Sequence, residues 1–217
     1  MIKVYAFPWV PPFAQGLVRD LRVRWALEEA GIPYEEKLLG PGDQQSATYR
    51  RLQPFGQVPV LEDGDLTLFE SGEIVLHIAE RSAALAPPDA SGRSRMKTWM
   101  FAALNSVEPY IANLAEIDLF NDGKEWAKLR RPDVEETVKM RLGQLSDWLG
   151  DREYLEDRFT AADLLMTTVL RNLRHVDLLK QFPNLEAFRL RCEARPAFGR
   201  ALDAQLATFA AHAPPAS

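Results

Sequence analysis

The chain of 217 residues is 47% apolar and 26% charged and carries a formal net charge of −5 at pH 7. This length is enough to bury a sizeable core and corresponds to one large domain or two small ones. The chain has no acidic or basic tail, and the basic pairs Arg50-Arg51 and Arg130-Arg131 are best explained as solvated surface, so nucleic acid is not an expected partner.

Cysteine and histidine usage limits the chemistry further. Cys192 is the single cysteine, which excludes an internal disulfide or a CxxC redox centre, and it is predicted to be a small buried core residue. The histidines lack metal-ligand spacing, so no bound metal is expected. The start of the chain, Met1–Trp9, has no long apolar stretch, so neither a signal peptide nor a membrane span is expected. We therefore predict a cytoplasmic protein with no membrane partner.

The first fifty residues predict alternating strands and helices. Ile2–Tyr5 has the pattern of a strand, and Gly31 ends the helix that follows. The apolar residues at helical spacing in that helix are Val23, Ala26, Leu27 and Ala30. Tyr34–Leu38 is predicted to form a second, parallel strand, because a crossover helix separates it from the first. A short helix is predicted over Gln44–Leu52.

The Val58-Pro59 pair interrupts a segment that otherwise has the composition of a strand. Proline removes a hydrogen-bond donor from a ladder, and we predict a cis peptide bond in a bend here. The bend would leave the backbone NH and C=O of Val58 available to an extended peptide ligand, which pairs with them as an added strand. The apolar segments 60–61 and 66–69 flank Asp63-Gly64 and predict an antiparallel hairpin.

Glu70 and Ser71 lie between this hairpin and the apolar face of the next helix, for which Ser71 is the predicted N-cap. The first turn of a helix has unpaired NH groups and a partial positive charge, so a ligand carboxylate can bind Ser71 and the NH of Gly72. Glu70 can bind an ammonium group. The sequence therefore favours a ligand with an amino-acid end; the alternative is that Ser71 only caps the helix and Glu70 is solvated.

These motifs resemble the glutathione-binding domain of the glutathione transferases. The resemblance rests on Gln53–Leu61, which reads QPFGQVPVL, followed by Phe69–Ser71 at the family's spacing. It implies a thioredoxin-like domain with the element order β-α-β-α-β-β-α, and glutathione as the cosubstrate.

The resemblance also implies roles for the residues of the motif. Val58, before the cis Pro59, would pair with the cysteinyl backbone of glutathione, while Glu70 and Ser71 would hold its γ-glutamyl end. Gln57 stands where the family often has Lys or another polar residue near the glycine carboxylate.

The family also places Tyr, Ser or Cys between the first strand and the first helix, where it hydrogen-bonds the glutathione sulfur and favours the thiolate. Residues 7–20 of this chain read FPWVPPFAQGLVRD and contain no serine, threonine or cysteine. Three substitutes are open: Tyr5, which resembles the tyrosine of the animal classes; Gln15 or a backbone NH of residues 14–17; and the indole NH of Trp9.

The aromatic residues of this loop suggest a pocket for the second substrate. Trp9 and Phe13 are predicted to shape an apolar substrate pocket together with Met100 and Tyr110 of the helical region. The alternative is a surface loop whose aromatic side chains pack on their own domain.

The second half of the chain predicts helices only. Residues 82–92 are rich in Ala, Pro, Ser and Gly and are predicted to be a linker. The segment 159–164, FTAADL, predicts a capping box between Thr160 and Asp163. This segment and Arg195–Ala197 also resemble the family's C-terminal domain. The predicted fold class is an α/β thioredoxin-like domain over residues 1–81 followed by an all-α helical bundle domain over residues 93–217.

The predicted function is that of a glutathione transferase, in which the glutathione thiolate attacks a small apolar electrophile. The resemblance also implies a homodimer and a role in detoxification. Two alternatives remain: another glutathione-dependent reaction at the same site, such as isomerisation or reductive dehalogenation, and a binding module that kept the fold but lost thiol activation.

Overall fold

A computed structural model describes residues 1–214. The fold divides into two compact units. The first comprises residues 1–85 and 195–214, and the second comprises Ala86–Ala194. In chain order the helices are α1 (Asp20–Ala30), α2 (Ala47–Arg50), α3 (Ser71–Ala79), α4 (Ala90–Phe101), α5 (Glu108–Ala115), α6 (Glu125–Leu149), α7 (Ala161–Arg171), α8 (Pro183–Glu193) and α9 (Pro196–Ala211).

The first unit contains a mixed four-stranded sheet. Its strands are β1 (Ile2–Ala6), β2 (Tyr34–Leu38), β3 (Val60–Asp63) and β4 (Leu66–Phe69), in the spatial order β2-β1-β3-β4. β1 and β2 are parallel, whereas β3 pairs antiparallel with both β1 and β4. The β3-β4 hairpin turns through a two-residue loop whose first residue, Gly64, has φ 62°. This topology confirms the predicted thioredoxin-like arrangement.

Local signals account for most boundaries of this unit. α1 ends at Gly31, which has the left-handed φ of 65° that was expected of a C-cap glycine. The helix predicted over Gln44–Leu52 is shorter than expected. A 3₁₀ turn at Asp43–Gln45 comes first, and Ser46, in an extended conformation, then caps α2 by accepting the NH of Tyr49 at 3.1 Å.

α9 packs against α1 in the first unit. The rings of Trp25 and Phe198 meet edge to face with 4.9 Å between their centroids, and Arg195 forms a two-point ion pair with Glu29 at 2.6 and 2.8 Å. The last helix of the chain therefore contacts the domain that contains the sheet, although the sequence analysis grouped it with the other helices. The domain boundaries along the chain stay a prediction.

The second unit is helical and contains α4 to α8. α4 begins at Ala90, inside the segment expected to be a linker, because Asp89 caps it by accepting the NH of Gly92 at 2.7 Å. Two π-helical segments, Ala102–Val107 and Glu116–Phe120, flank α5. α7 is buried along nearly its whole length, and Cys192 of α8 is fully buried, as predicted.

Candidate functional site

The sheet register brings three chain segments to one end of the sheet. Tyr5, near the end of β1, lies opposite Val60 at the start of β3, and Val60 lies opposite Phe69 at the end of β4. The loop after β1, the bend before β3 and the residues after β4 therefore leave the sheet at the same end. These segments contain most of the residues that sequence analysis singled out.

The bend before β3 contains the predicted cis peptide bond, between Val58 and Pro59. The regular ladder starts only at Val60, so Val58 lies outside the pairing between β3 and its neighbours. The hydroxyl of Tyr49 donates to the carbonyl oxygen of Gln57 at 2.6 Å and so ties the bend to α2, while the side chain of Gln57 is exposed. The backbone NH and C=O of Val58 therefore have no partner among residues 1–214.

Glu70 has an unusual backbone conformation, with φ 70° and ψ 112°. It is the only non-glycine residue with positive φ in the described part of the chain. Such a conformation costs on the order of 1–3 kcal/mol and persists at positions that a site requires. The exposed carboxylate of Glu70 has no hydrogen-bond partner among residues 1–214, so it can bind a cation.

Ser71 is the first residue of α3 rather than its N-cap, which is a correction to the sequence interpretation. Glu70 occupies the cap position, and no side chain there accepts a hydrogen bond from the first turn. A side-chain cap from Ser71 would need that residue to lie outside the helix in an extended conformation. Since the first turn has no such cap, its NH groups can bind a ligand carboxylate.

Sequence analysis missed Arg22, which lies in α1 beside this helix start. Its Nη1 donates to the hydroxyl oxygen of Ser71 at 3.1 Å, and both side chains are buried. The guanidinium places a positive charge next to the first turn of α3 and orients the Ser71 hydroxyl. No local pattern points to this pair, because 49 residues separate the two positions and only the packing of α1 on α3 joins them.

The hydroxyl of Tyr5 is already hydrogen-bonded to other protein groups. The hydroxyl donates its one proton to Oε1 of Glu62 at 2.7 Å and accepts from Nζ of Lys37 at 2.6 Å. Burial raises the pKa of Tyr5, and the Glu62 carboxylate raises it further. A ligand sulfur would have to displace Glu62 to receive this proton.

The backbone NH groups of the loop before α1 are also engaged. Ala14, Gln15 and Leu17 donate to carbonyl oxygens of the loop itself, and Gly16 donates to Oε1 of Gln205 at 3.2 Å. Among the substitutes that the sequence offered, Gln15 and Trp9 each keep a side-chain donor. Gln15 uses Nε2 to donate to the carbonyl oxygen of Val10 at 3.1 Å, which leaves its second amide hydrogen. The indole NH of Trp9 has no acceptor within residues 1–214.

The four residues predicted to line a substrate pocket belong to different units. In the first unit, Trp9 is half-buried and Phe13 is 41% exposed. In the second, Met100 is buried in α4, and the hydroxyl of Tyr110 accepts from Nη2 of Arg141 at 3.0 Å while the same guanidinium lies over its ring. The shared pocket stays a prediction.

Two general findings concern other classes of site. Within residues 1–214, no group of three or more His, Cys, Asp and Glu side chains is arranged to hold a metal ion. None of the helices described is both long and apolar enough to span a membrane.

Comparison with known proteins identifies relatives of both halves of the chain. Residues 15–80 match the glutathione S-transferase N-terminal domain, and residues 110–200 match a glutathione S-transferase C-terminal domain. Glutathione S-transferase 4 of Zea mays is 30% identical over 213 residues, which cover 90% of this chain and 89% of the relative.

Solved structures give the same result. A glutathione transferase from Burkholderia graminis, with two glutathione molecules bound per subunit, is 28% identical and superimposes with a TM-score of 0.81 over 93% of this chain and 87% of its own. Glutathione transferase F7 from Populus trichocarpa, at 23% identity, shares the fold with a TM-score of 0.82 over 94% of this chain and 99% of its own.

Proposed function

The chain belongs to the glutathione S-transferase family, and we propose that it binds glutathione and directs the glutathione thiolate at small apolar electrophiles. The observation that carries this proposal is the conformation of Glu70. At this positive φ, Glu70 exposes a carboxylate with no partner in the described chain beside the uncapped first turn of α3, at the end of the sheet where the Val58-Pro59 bend also lies.

These groups match the two charges of the γ-glutamyl end of glutathione. Glu70 would bind the ammonium, while the Ser71 hydroxyl and the first-turn NH groups of α3 would bind the carboxylate, with Arg22 adding positive charge behind Ser71. The backbone of Val58 would pair with the cysteinyl residue as an added strand does. Gln57 would lie near the glycine carboxylate. The cysteinyl sulfur would then point toward the loop before α1.

Activation of the thiol requires a donor to the sulfur. A free thiol titrates near pH 8.5, and each unit by which a site lowers that pKa corresponds to about 1.4 kcal/mol of preference for the anion. The second amide hydrogen of Gln15 and the indole NH of Trp9 have no acceptor in the part of the chain that the structure describes, whereas Tyr5 already donates to Glu62. We therefore favour Gln15 as the donor, with Trp9 and Phe13 of the same loop lining the pocket for the electrophile.

The proposed setting is a cytoplasmic homodimer that acts in detoxification, with neither nucleic acid nor membrane as a partner. The single cysteine supports an intracellular setting, because such a chain has no internal disulfide to form. The exposed side chain of Phe55, which belongs to the loop before Val58, supports a dimer, since 68% of it is accessible in the isolated chain.

A second candidate function is a glutathione-binding module without thiol activation. It is favoured by the loop of residues 7–20, which has no Ser, Thr or Cys, and by the engagement of Tyr5 with Glu62. Isomerisation and dehalogenation would use the same thiolate as the transfer reaction. They would give different products, which mass spectrometry distinguishes.

The test is the ultraviolet difference absorbance of the glutathione thiolate, titrated against pH in the presence of saturating protein. We expect thiolate near neutral pH with the wild type and with Tyr5→Phe. With Gln15→Leu the apparent pKa should rise by about one unit without loss of glutathione binding. Binding without any thiolate signal would favour the non-catalytic module. A loss of signal in Tyr5→Phe alone would return the donor role to Tyr5.

A further inference from the structure

The loop before α1 carries both donor candidates but buries little of its own surface. Among residues 7–19 only Gly16 is buried, and the others are half-buried or exposed. Phe7 and Val18, near the two ends of the loop, pack against the core, whereas the residues between them depend more on hydrogen bonds for a fixed conformation.

Gln205, on the face of α9 that meets α1, supplies such bonds from the far end of the chain. Its side chain is fully buried. Oε1 accepts from the backbone NH of Gly16 at 3.2 Å, and Nε2 donates to the carbonyl oxygen of Val18 at 3.3 Å and to Oδ1 of Asp20 at 2.7 Å. One amide thus contacts the loop at two points and the first residue of α1 at a third.

The bond to Gly16 acts directly on the neighbouring residue. Gly16 NH belongs to the planar peptide unit that begins at Gln15, so fixing that NH also fixes the backbone torsion ψ of Gln15, which is 132°. The Gln15 side chain is anchored at its other end by the bond from Nε2 to Val10. Together these bonds set the direction of the remaining Gln15 amide hydrogen.

α9 is itself held in register by a partly buried polar network. Asp20 pairs with Arg24 at 2.7 Å, Arg24 also binds Glu36, and Thr208 donates to Glu36 at 2.8 Å. Thr208 lies three residues after Gln205 and so on the same side of α9. The network fixes the position from which Gln205 reaches the loop.

We propose that Gln205 is a positioning residue for thiol activation, which holds the Gln15–Gly16 peptide so that the Gln15 amide meets the glutathione sulfur. The inference rests on the proposed function and adds to it a residue of the last helix that contacts no substrate. Gly16 and Gln205 are separated by 189 positions, so the arrangement arises only in the folded chain.

The test compares Gln205→Met, which keeps the side-chain length but removes both polar atoms, with Phe198→Leu as the control, which weakens the ring contact between α9 and Trp25 of α1. In Gln205→Met the apparent pKa of the bound glutathione thiol should rise by about one unit, while the glutathione Kd changes less than about threefold. Phe198→Leu should lower the free energy of unfolding and leave that thiol pKa as in the wild type. A merely structural role of Gln205 would change stability in both variants and the thiol pKa in neither.

The measurements distinguish failure of the positioning role from failure of the proposed function. If wild-type protein ionises bound glutathione and Gln205→Met does so equally well, the positioning role is wrong and the proposed function stands. If the wild type binds no glutathione or leaves it un-ionised, the proposed function fails, and the positioning role with it.

If Gln205→Met does not fold, amide hydrogen exchange of wild-type protein measured by NMR takes its place. The Gly16 amide should exchange at least about 100-fold more slowly than in an unfolded peptide. Exchange at the unfolded rate would show that the Gln205 bond is not maintained, and would overturn the proposal.

Discussion

Single residues at this site show how strain and unpaired charge indicate a ligand. Glu70 adopts a conformation that suits glycine, and its carboxylate has no partner in the described chain. The strain is unfavourable for the isolated protein, whereas the exposed carboxylate is hydrated and accessible to a ligand. A bound ammonium group would pair with this carboxylate, which is why we place the γ-glutamyl end of glutathione here.

Glu70→Gly should therefore stabilise the protein while it weakens glutathione binding. Glycine adopts positive φ without a steric penalty, so we expect a gain of about 1 kcal/mol in the free energy of unfolding. Loss of the carboxylate should raise the glutathione Kd by roughly tenfold or more, since charge-assisted hydrogen bonds contribute about 1.5–3 kcal/mol.

Chemical denaturation and calorimetry measure the two effects. Glu70→Gln removes the charge but keeps the strain and should weaken binding without the gain in stability. Glu73→Gln, which neutralises the neighbouring exposed carboxylate of α3, is the control and should change neither quantity by much. Unchanged binding in Glu70→Gly would contradict the assigned role.

At the scale of elements, a short sequence motif determines where α7 begins. The predicted capping box is present, with Oδ2 of Asp163 accepting the NH of Thr160 at 2.8 Å, and Oδ1 additionally accepts the NH of Leu155 at 2.8 Å. Burial raises the pKa of Asp163 to about 6, although these hydrogen bonds oppose the shift. Asp163 thus fixes both α7 and the loop before it.

Asp163→Ala should lower the free energy of unfolding by about 1–2 kcal/mol at pH 7, because it removes the cap and leaves buried NH groups unpaired. Asp151→Ala, which removes an exposed carboxylate of the loop before α7, is the control. Equal unfolding midpoints for the two variants would argue against the structural role of Asp163.

The same residue predicts a pH dependence. The folded-state pKa of about 6 lies above the ordinary value of about 3.9, so the folded protein binds a proton in this range that the unfolded chain does not. The stability of wild type relative to Asp163→Asn should therefore increase as the pH falls from about 6 to about 4. Urea unfolding of both proteins across this range measures the difference, and a constant difference would contradict the shifted pKa.

At the scale of the whole molecule, the exposed apolar surface bears on the proposed homodimer. Phe55 is 68% exposed and contacts only one ring edge to face, that of Phe69 at 6.3 Å between centroids, within the described residues. A large aromatic side chain this accessible is favoured at interfaces, where it fills a pocket on the partner. We propose that a second copy of this chain covers it.

Phe55→Ser should then convert the dimer to a monomer at micromolar concentration, as measured by light scattering after size-exclusion chromatography. Leu190→Ser, which changes a 52% exposed apolar side chain on α8, is the control and should leave the mass at that of the wild type. A monomeric wild type would show that the homodimer assignment is wrong.

The sequence by itself determined the features whose causes are local. Strand and helix order, the Gly31 stop, the cis bond at Val58-Pro59 and the capping box at Thr160 all follow from residue types within a few positions of one another. Such signals act through backbone torsions and short-range hydrogen bonds, and they were sufficient to predict the order of elements, whereas the family was predicted from the resemblance of Gln53–Leu61 and Phe69–Ser71.

Only the tertiary structure decided which partner each polar atom has. In the folded chain the hydroxyl of Tyr5 donates to Glu62, and Arg22 donates to the hydroxyl oxygen of Ser71. Gln205 accepts from Gly16 and so connects α9 to the loop before α1. These contacts join residues 57, 49 and 189 positions apart. Periodicity and capping rules carry no information over such separations, because each buried donor is matched to its acceptor by the packing of whole elements.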